Sequence, residues 1–175
     1  MSEMTTDVDV AAQVARLCAI EDIKRVKYAY LRCLDQKDWD GMVELFAPDA
    51  TAAYSAGKYS FDSRHEIIDF VARNMSRDAF HSSHKVHHPE IDVDGDRASA
   101  TWALEDTVLD SEWNFILMGS AFYEDDYERQ SGRWVITRTT YKRTYEYMVP
   151  TSSLEGFALT ASWWGTGGGS TVPAS

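Results

Sequence analysis

The chain has 175 residues, 44% of them hydrophobic, which is enough for one domain with its own core. Its 17 basic and 28 acidic side chains leave a net charge of −11, which disfavours nucleic acid and anionic membranes as partners. No apolar run nears the roughly 18 residues that a membrane-spanning helix needs. The opening MSEMTTDVDV has no apolar leader segment either.

Residues 8–36 carry helical periodicity, with Ile23, Val26, Tyr30, Cys33 and Leu34 on one stripe and Lys24, Arg25 and Arg32 off it. Cys18 and Cys33 both fall in this helix, about 22 Å apart at helical rise and beyond disulfide reach. With no cysteine motif for zinc, the expectation is a reduced, cytoplasmic protein. A short second helix fits WDGMVELF, with Asp38 as N-cap and Pro48 beyond its end. DATAAY and KYSF flank SAG as a hairpin. Ser63 and Glu66 then form a capping box ahead of IIDFVARNM, a third helix.

From there the composition turns to β-branched and aromatic residues, at roughly 86–107, 112–128 and 133–149. Asp94-Gly95-Asp96 divides the first stretch and QSGR separates the last two. Helices followed by an antiparallel meander define an α+β class, with the helices as the only cover for the sheet. A single domain over 1–150 is expected, followed by a Gly/Ser-rich extension over 151–175. The extension carries Phe157, Trp163 and Trp164, so it is read as a flexible tail or a lid.

Four of the five histidines, His81, His84, His87 and His88, lie in HSSHKVHHPE. A metal site, a catalytic base and ordinary surface histidines are all open readings. His84 and His88 have the i, i+4 spacing that suits zinc on a helix, but Pro89 and EIDVDG argue for a strand. There the two stand roughly 13 Å apart, too far for one ion. Catalysis needs only one imidazole, provided a carboxylate holds its ring. Alternation also places Tyr141, Arg143, Tyr145 and Tyr147 on one face of the last strand, a phenolic surface around one guanidinium.

The run IEDIKRVKYAYLRCLDQKDWDGMVELFAPDA (20–50) resembles the opening of SnoaL-like proteins in the nuclear transport factor 2-like superfamily. HKVHHPEIDVDGDRASATWALED (84–106) resembles that family's strand pair. The resemblance implies a cone, a strongly curved antiparallel sheet wrapped around N-terminal helices with an apolar pocket inside. Within the superfamily the sequence looks most like bile-acid 7α-dehydratase, scytalone dehydratase and hexachlorocyclohexane dehydrochlorinase. It thereby implies a cofactor-independent lyase with no metal, acting on a small hydrophobic substrate, steroid or aromatic.

By the same resemblance Asp35 and His84 form the catalytic dyad, with Tyr30 and Arg143 assisting. Tyr54, His88, Trp102 and Tyr141 make up the expected substrate-binding set. On an ideal wheel Asp35 lies more than 90° from the centre of the apolar stripe, so periodicity does not bury it. Carbon–carbon (formaldehyde) lyase, isomerase or cyclase chemistry, and a binding module without chemistry, are the alternatives. Trp102, Phe115, Ile116, Leu117 and Met118 make strands apolar on both faces, which predicts a homo-oligomer through the sheet. The resemblance favours a trimer.

Overall fold

The structure, a computed structural model, describes residues 9–173. The N-terminal segment read above as lacking a leader, and Val8, where the first helix was expected to start, lie outside the described residues. Helix α1 spans Val10–Gln36, and the side chain of Asp9 caps it by accepting from Ala12 N at 3.1 Å. Lys37 ends it in the left-handed region (φ 56), returning its N–H to the last carbonyls. Helix α2, Trp39–Val43, starts at Asp38, whose carboxylate accepts from Gly41 N. It is shorter than WDGMVELF, because Phe46 already belongs to a strand. Helix α3, Arg64–Met75, begins at the Ser63 cap, and Glu66 reaches back to Asp62 N. Among the described residues no helix is long and apolar enough to cross a membrane.

The strands are β1 (Phe46–Tyr54), β2 (Tyr59–Phe61), β3 (Phe80–Asp94), β4 (Arg97–Asp110), β5 (Phe115–Gln130) and β6 (Arg133–Pro150). They form one sheet in the order β2-β1-β6-β5-β4-β3. Pro48 follows the end of α2, as expected, and lies inside β1, where the register shifts between Phe46 and Thr51, so its missing N–H costs no ladder bond. The expectation of a wholly antiparallel sheet fails at one junction, where β1 runs parallel to β6. A four-stranded meander ends opposite to its start. Since β3 leaves α3 running against β1, β6 must finish running with it.

Alternation along β4 buries Ala98, Ala100, Trp102 and Leu104 on the inner face, which the helices cover. Two bulges interrupt the pattern elsewhere. In β3 the pairing jumps from His87↔Ala103 to Glu90↔Thr101, and His88 takes a φ of 29°. In β6 it jumps from Ser120↔Tyr145 to Ala121↔Arg143, leaving Thr144 without a partner. The single aromatic face expected of β6 is therefore split. Tyr141 and Arg143 point inward, whereas Tyr145 and Tyr147 turn to the outer face.

The core contains an ion pair that apolar periodicity does not reveal. Lys27 is fully buried on α1, with its Nζ 2.7 Å from Asp125 Oδ2 and 3.4 Å above the centre of the Tyr123 ring. Asp125 also accepts from Tyr127 Oη (2.9 Å) and Thr139 Oγ1 (2.7 Å). Burial pushes the Lys27 pKa down, and Asp125 only partly offsets this. Lys27→Met would strand the carboxylate in the core and should cost about 3–5 kcal/mol in urea unfolding. Adding Asp125→Asn should recover much of that loss; no recovery would mean that the uncompensated charge is not its source.

Candidate active site

Helix α1 has two working faces. One carries Ile23, Lys27, Tyr30 and Leu34 into the core. The other, Tyr28, Leu31, Arg32, Asp35 and Gln36, runs along the open edge of β3. Asp35 therefore reaches the sheet although it lies off the main apolar stripe, and α1 does not end early to bring it there.

At that edge the Asp35 carboxylate takes three hydrogen bonds from β3. The main-chain N–H of His84 donates to Oδ2 at 2.9 Å, while Ser82 Oγ (2.8 Å) and His84 Nδ1 (2.6 Å) donate to Oδ1. Because the acceptor is a carboxylate, Nδ1 carries a proton, which leaves Nε2 as the unprotonated nitrogen whenever the ring is neutral. Nε2 makes no hydrogen bond among the described residues. Burial pushes the Asp35 pKa up, but the bonds and charge of His84 and the bond from Ser82 outweigh it, so the net shift is downward. Ser82, a ligand of the carboxylate, was not flagged by the sequence. Its only signal was its place two residues before His84 on the same strand face.

Across the ladder, His84 is the direct partner of Asp106 on β4. Asp106 is buried and receives both terminal nitrogens of Arg143, Nη2 at 2.9 Å. The guanidinium crosses β5 over Gly119, where a Cβ would stand 2.8 Å from Arg143 Nη1 and 2.9 Å from the Tyr145 carbonyl. Arg143 Nε lies 3.0 Å from Glu146 Oε2, a charge contact without hydrogen-bond geometry. Arg143 thus stands near the dyad in register, but its charge is already engaged.

The other expected residues divide. Tyr30 and Tyr54 meet each other in the core, hydroxyl to hydroxyl at 3.4 Å, and burial pushes both pKa values well up. Tyr141 stacks on Tyr54 at 5.6 Å and meets Ser55 Oγ through its hydroxyl. Trp102 is wholly buried, with its indole N–H unpartnered. His88 is exposed at the β3 bulge, where its ring lies against His87 rather than the dyad. The structure therefore does not gather Tyr30, Tyr54, Trp102 and His88 around His84. His81 turns outward and bonds Ser162 Oγ of the C-terminal segment at 2.8 Å. That segment is a closed loop, Thr171 N to Thr160 O at 2.7 Å, and Trp164 lies over Lys37.

The dyad opens on a crevice of about 530 Å³ between α1 and β3, lined by Tyr28, Leu31, Asp35, His84 and Val86. A larger concavity, about 610 Å³, lies elsewhere and is ringed by Asp49, Asp92, Asp94, Asp126 and Glu128. It has no imidazole held by a carboxylate.

A mixed sheet closed over N-terminal helices is the nuclear transport factor 2-like fold. Residues 15–140 match the SnoaL-like domain model, and the chain belongs to that family. Solved structures of the same fold include a provisionally assigned scytalone dehydratase from Novosphingobium aromaticivorans. It is 16% identical, with a TM-score of 0.70 over 86% of this chain and 95% of that one. The hexachlorocyclohexane dehydrochlorinase LinA-type3 of Novosphingobium barchaimii is 18% identical, with a TM-score of 0.70 over 84% and 97%. An NTF2-like protein of unknown function from Pseudomonas putida is 16% identical, with a TM-score of 0.62 over 72% and 87%. At these identities the likeness is one of fold.

The depressed pKa of Asp35 carries a sign. A carboxyl whose folded pKa lies below the unfolded value of about 3.9 stabilises the fold above that pH and loses the contribution as pH falls through the folded pKa. The stability gap between wild type and Asp35→Asn should therefore shrink as pH falls below about 4. Denaturant titrations across that range measure it; a gap that failed to shrink there would contradict the assignment.

Proposed function

We propose that this protein is a cofactor-independent lyase that eliminates a leaving group from a small, largely apolar substrate. The observation that carries the reading is the double anchoring of His84 by Asp35, through ring and main chain, with Nε2 left unpaired. Nε2 takes a proton from an acidified carbon, and the C–H electron pair becomes the new double bond. The leaving group departs with its bonding pair, and the proton passes from the imidazolium to the departed hydroxide or to water. Asp35 offsets the positive charge while it lasts. Arg143, committed to Asp106, is assigned a positioning role in the wall beside His84. The fold's occurrence in a dehydrochlorinase and a provisionally assigned dehydratase supports elimination over a purely binding role.

General bases contribute about 10²–10⁴-fold, so His84→Ala and Asp35→Asn should each lower turnover by at least roughly two orders of magnitude. Because the two act as a unit, the double variant should be little worse than the worse single one. His81→Ala and His87→Ala should stay within a few-fold of wild type. A panel of hydroxylated and halogenated ring compounds, followed for loss of water or halide, supplies the assay. Full activity in His84→Ala would end the proposal.

The protein acts as a homotrimer built through the outer sheet face. Phe122, Tyr145 and Tyr147 are 49%, 55% and 48% exposed there, the last two with rings stacked at 6.4 Å, and exposed aromatic surface of this kind marks an interface. Light scattering at micromolar concentration should give about three times 19.8 kDa, and a monomer would refute this assembly.

A further inference from the structure

The crevice beside the dyad differs in charge from the rest of this acidic molecule. Its floor is apolar, with Leu31 and Val86 beneath the half-exposed ring of Tyr28. Its rim carries Arg32 from α1 and, on the side of the β3 edge opposite the inward-facing His84 and Val86, Lys85, both exposed. Among the described residues neither is in an ion pair. Arg32 has only a 3.4 Å contact from Nη1 to Gln36 Oε1. Glu105, the cross-strand partner of Lys85, stands 3.7 Å from His87 Nε2 instead. The one carboxylate in the crevice, Asp35, is occupied by His84 and Ser82. The guanidinium expected to face the substrate, that of Arg143, is bound to Asp106.

Two free cations over an apolar floor, in a chain of net charge −11, point to a ligand of opposite sign at one end. We infer that the crevice between α1 and the open edge of β3 binds an apolar ring compound bearing one acidic group, held by Arg32 and Lys85. The ring body lies on Leu31, Val86 and Tyr28, and the acidic group sits at the solvent rim, where the charges need not be fully desolvated. The larger concavity has five carboxylates and one guanidinium, that of Arg97, itself 3.4 Å from Glu128, so its net charge disfavours such a ligand. The inference rests on the proposed elimination only in calling the occupant a substrate.

Binding can be tested without turnover, using 8-anilinonaphthalene-1-sulfonate and its uncharged analogue N-phenyl-1-naphthylamine. The sulfonate should bind the wild-type protein more tightly than the neutral probe at low salt, and added salt should shrink that preference. Arg32→Gln with Lys85→Gln should reduce the preference on the order of tenfold, the loss expected from two solvent-screened contacts. Both side chains are exposed, so the variant should keep its stability, as urea unfolding would show. Amide shifts on sulfonate binding should map to Tyr28, His84 and Val86. An unchanged preference in the double variant, or shifts confined to Phe122 and Tyr145 on the outer face, would overturn the inference. Persistent turnover in His84→Ala would instead overturn the elimination and leave the binding result standing.

Discussion

The carboxylate of Asp35 ties the helical half of the molecule to the free edge of its sheet. An edge strand exposes main-chain groups that must be satisfied or shielded, and β3 is such a strand. Asp35 takes one of its N–H groups and in the same contact sets the tautomer of the adjoining imidazole. Closure of the edge and orientation of the imidazole are one interaction, so the candidate site cannot be separated from the packing of α1 on β3.

Farther inside, the molecule accepts charge where a simpler core would be apolar. Lys27 and Asp125 are both wholly buried, and their desolvation is offset by mutual attraction, two hydroxyl donors and the Tyr123 ring. Tyr30, Tyr54 and Tyr123 fill the space around them. These side chains occupy the interior, and the dyad stands at its rim. That division explains why two expected site residues, Tyr30 and Tyr54, hydrogen-bond each other rather than border the crevice.

Bulges decide which residues share a face, because one extra residue reverses every side chain beyond it. The bulge at Thr144 keeps Arg143 inward, where it crosses Gly119 to Asp106, and sends Tyr145 and Tyr147 outward. The bulge at His88 removes that histidine from the row of His84 and leaves it in solvent. Of the four clustered imidazoles, only His84 is both on the inner face and held by a carboxylate.

Element types and order were legible in the amino-acid sequence, because caps such as Asp38 and Ser63, the turns at Gly95 and Gly132, and the change from helical to alternating periodicity are local signals. The pairing of Asp35 with His84 was available only through family resemblance, since the helical wheel put Asp35 away from the core. Ser82, the burial of Lys27 and the commitment of Arg143 to Asp106 left no local mark. Each depends on what another segment places opposite it, α1 against a strand edge, an aspartate 98 residues along the chain, a glycine on the intervening strand. Periodicity reports how one element divides its surface between core and solvent. Which partner meets each face is set by long-range packing, and only the tertiary structure decided that.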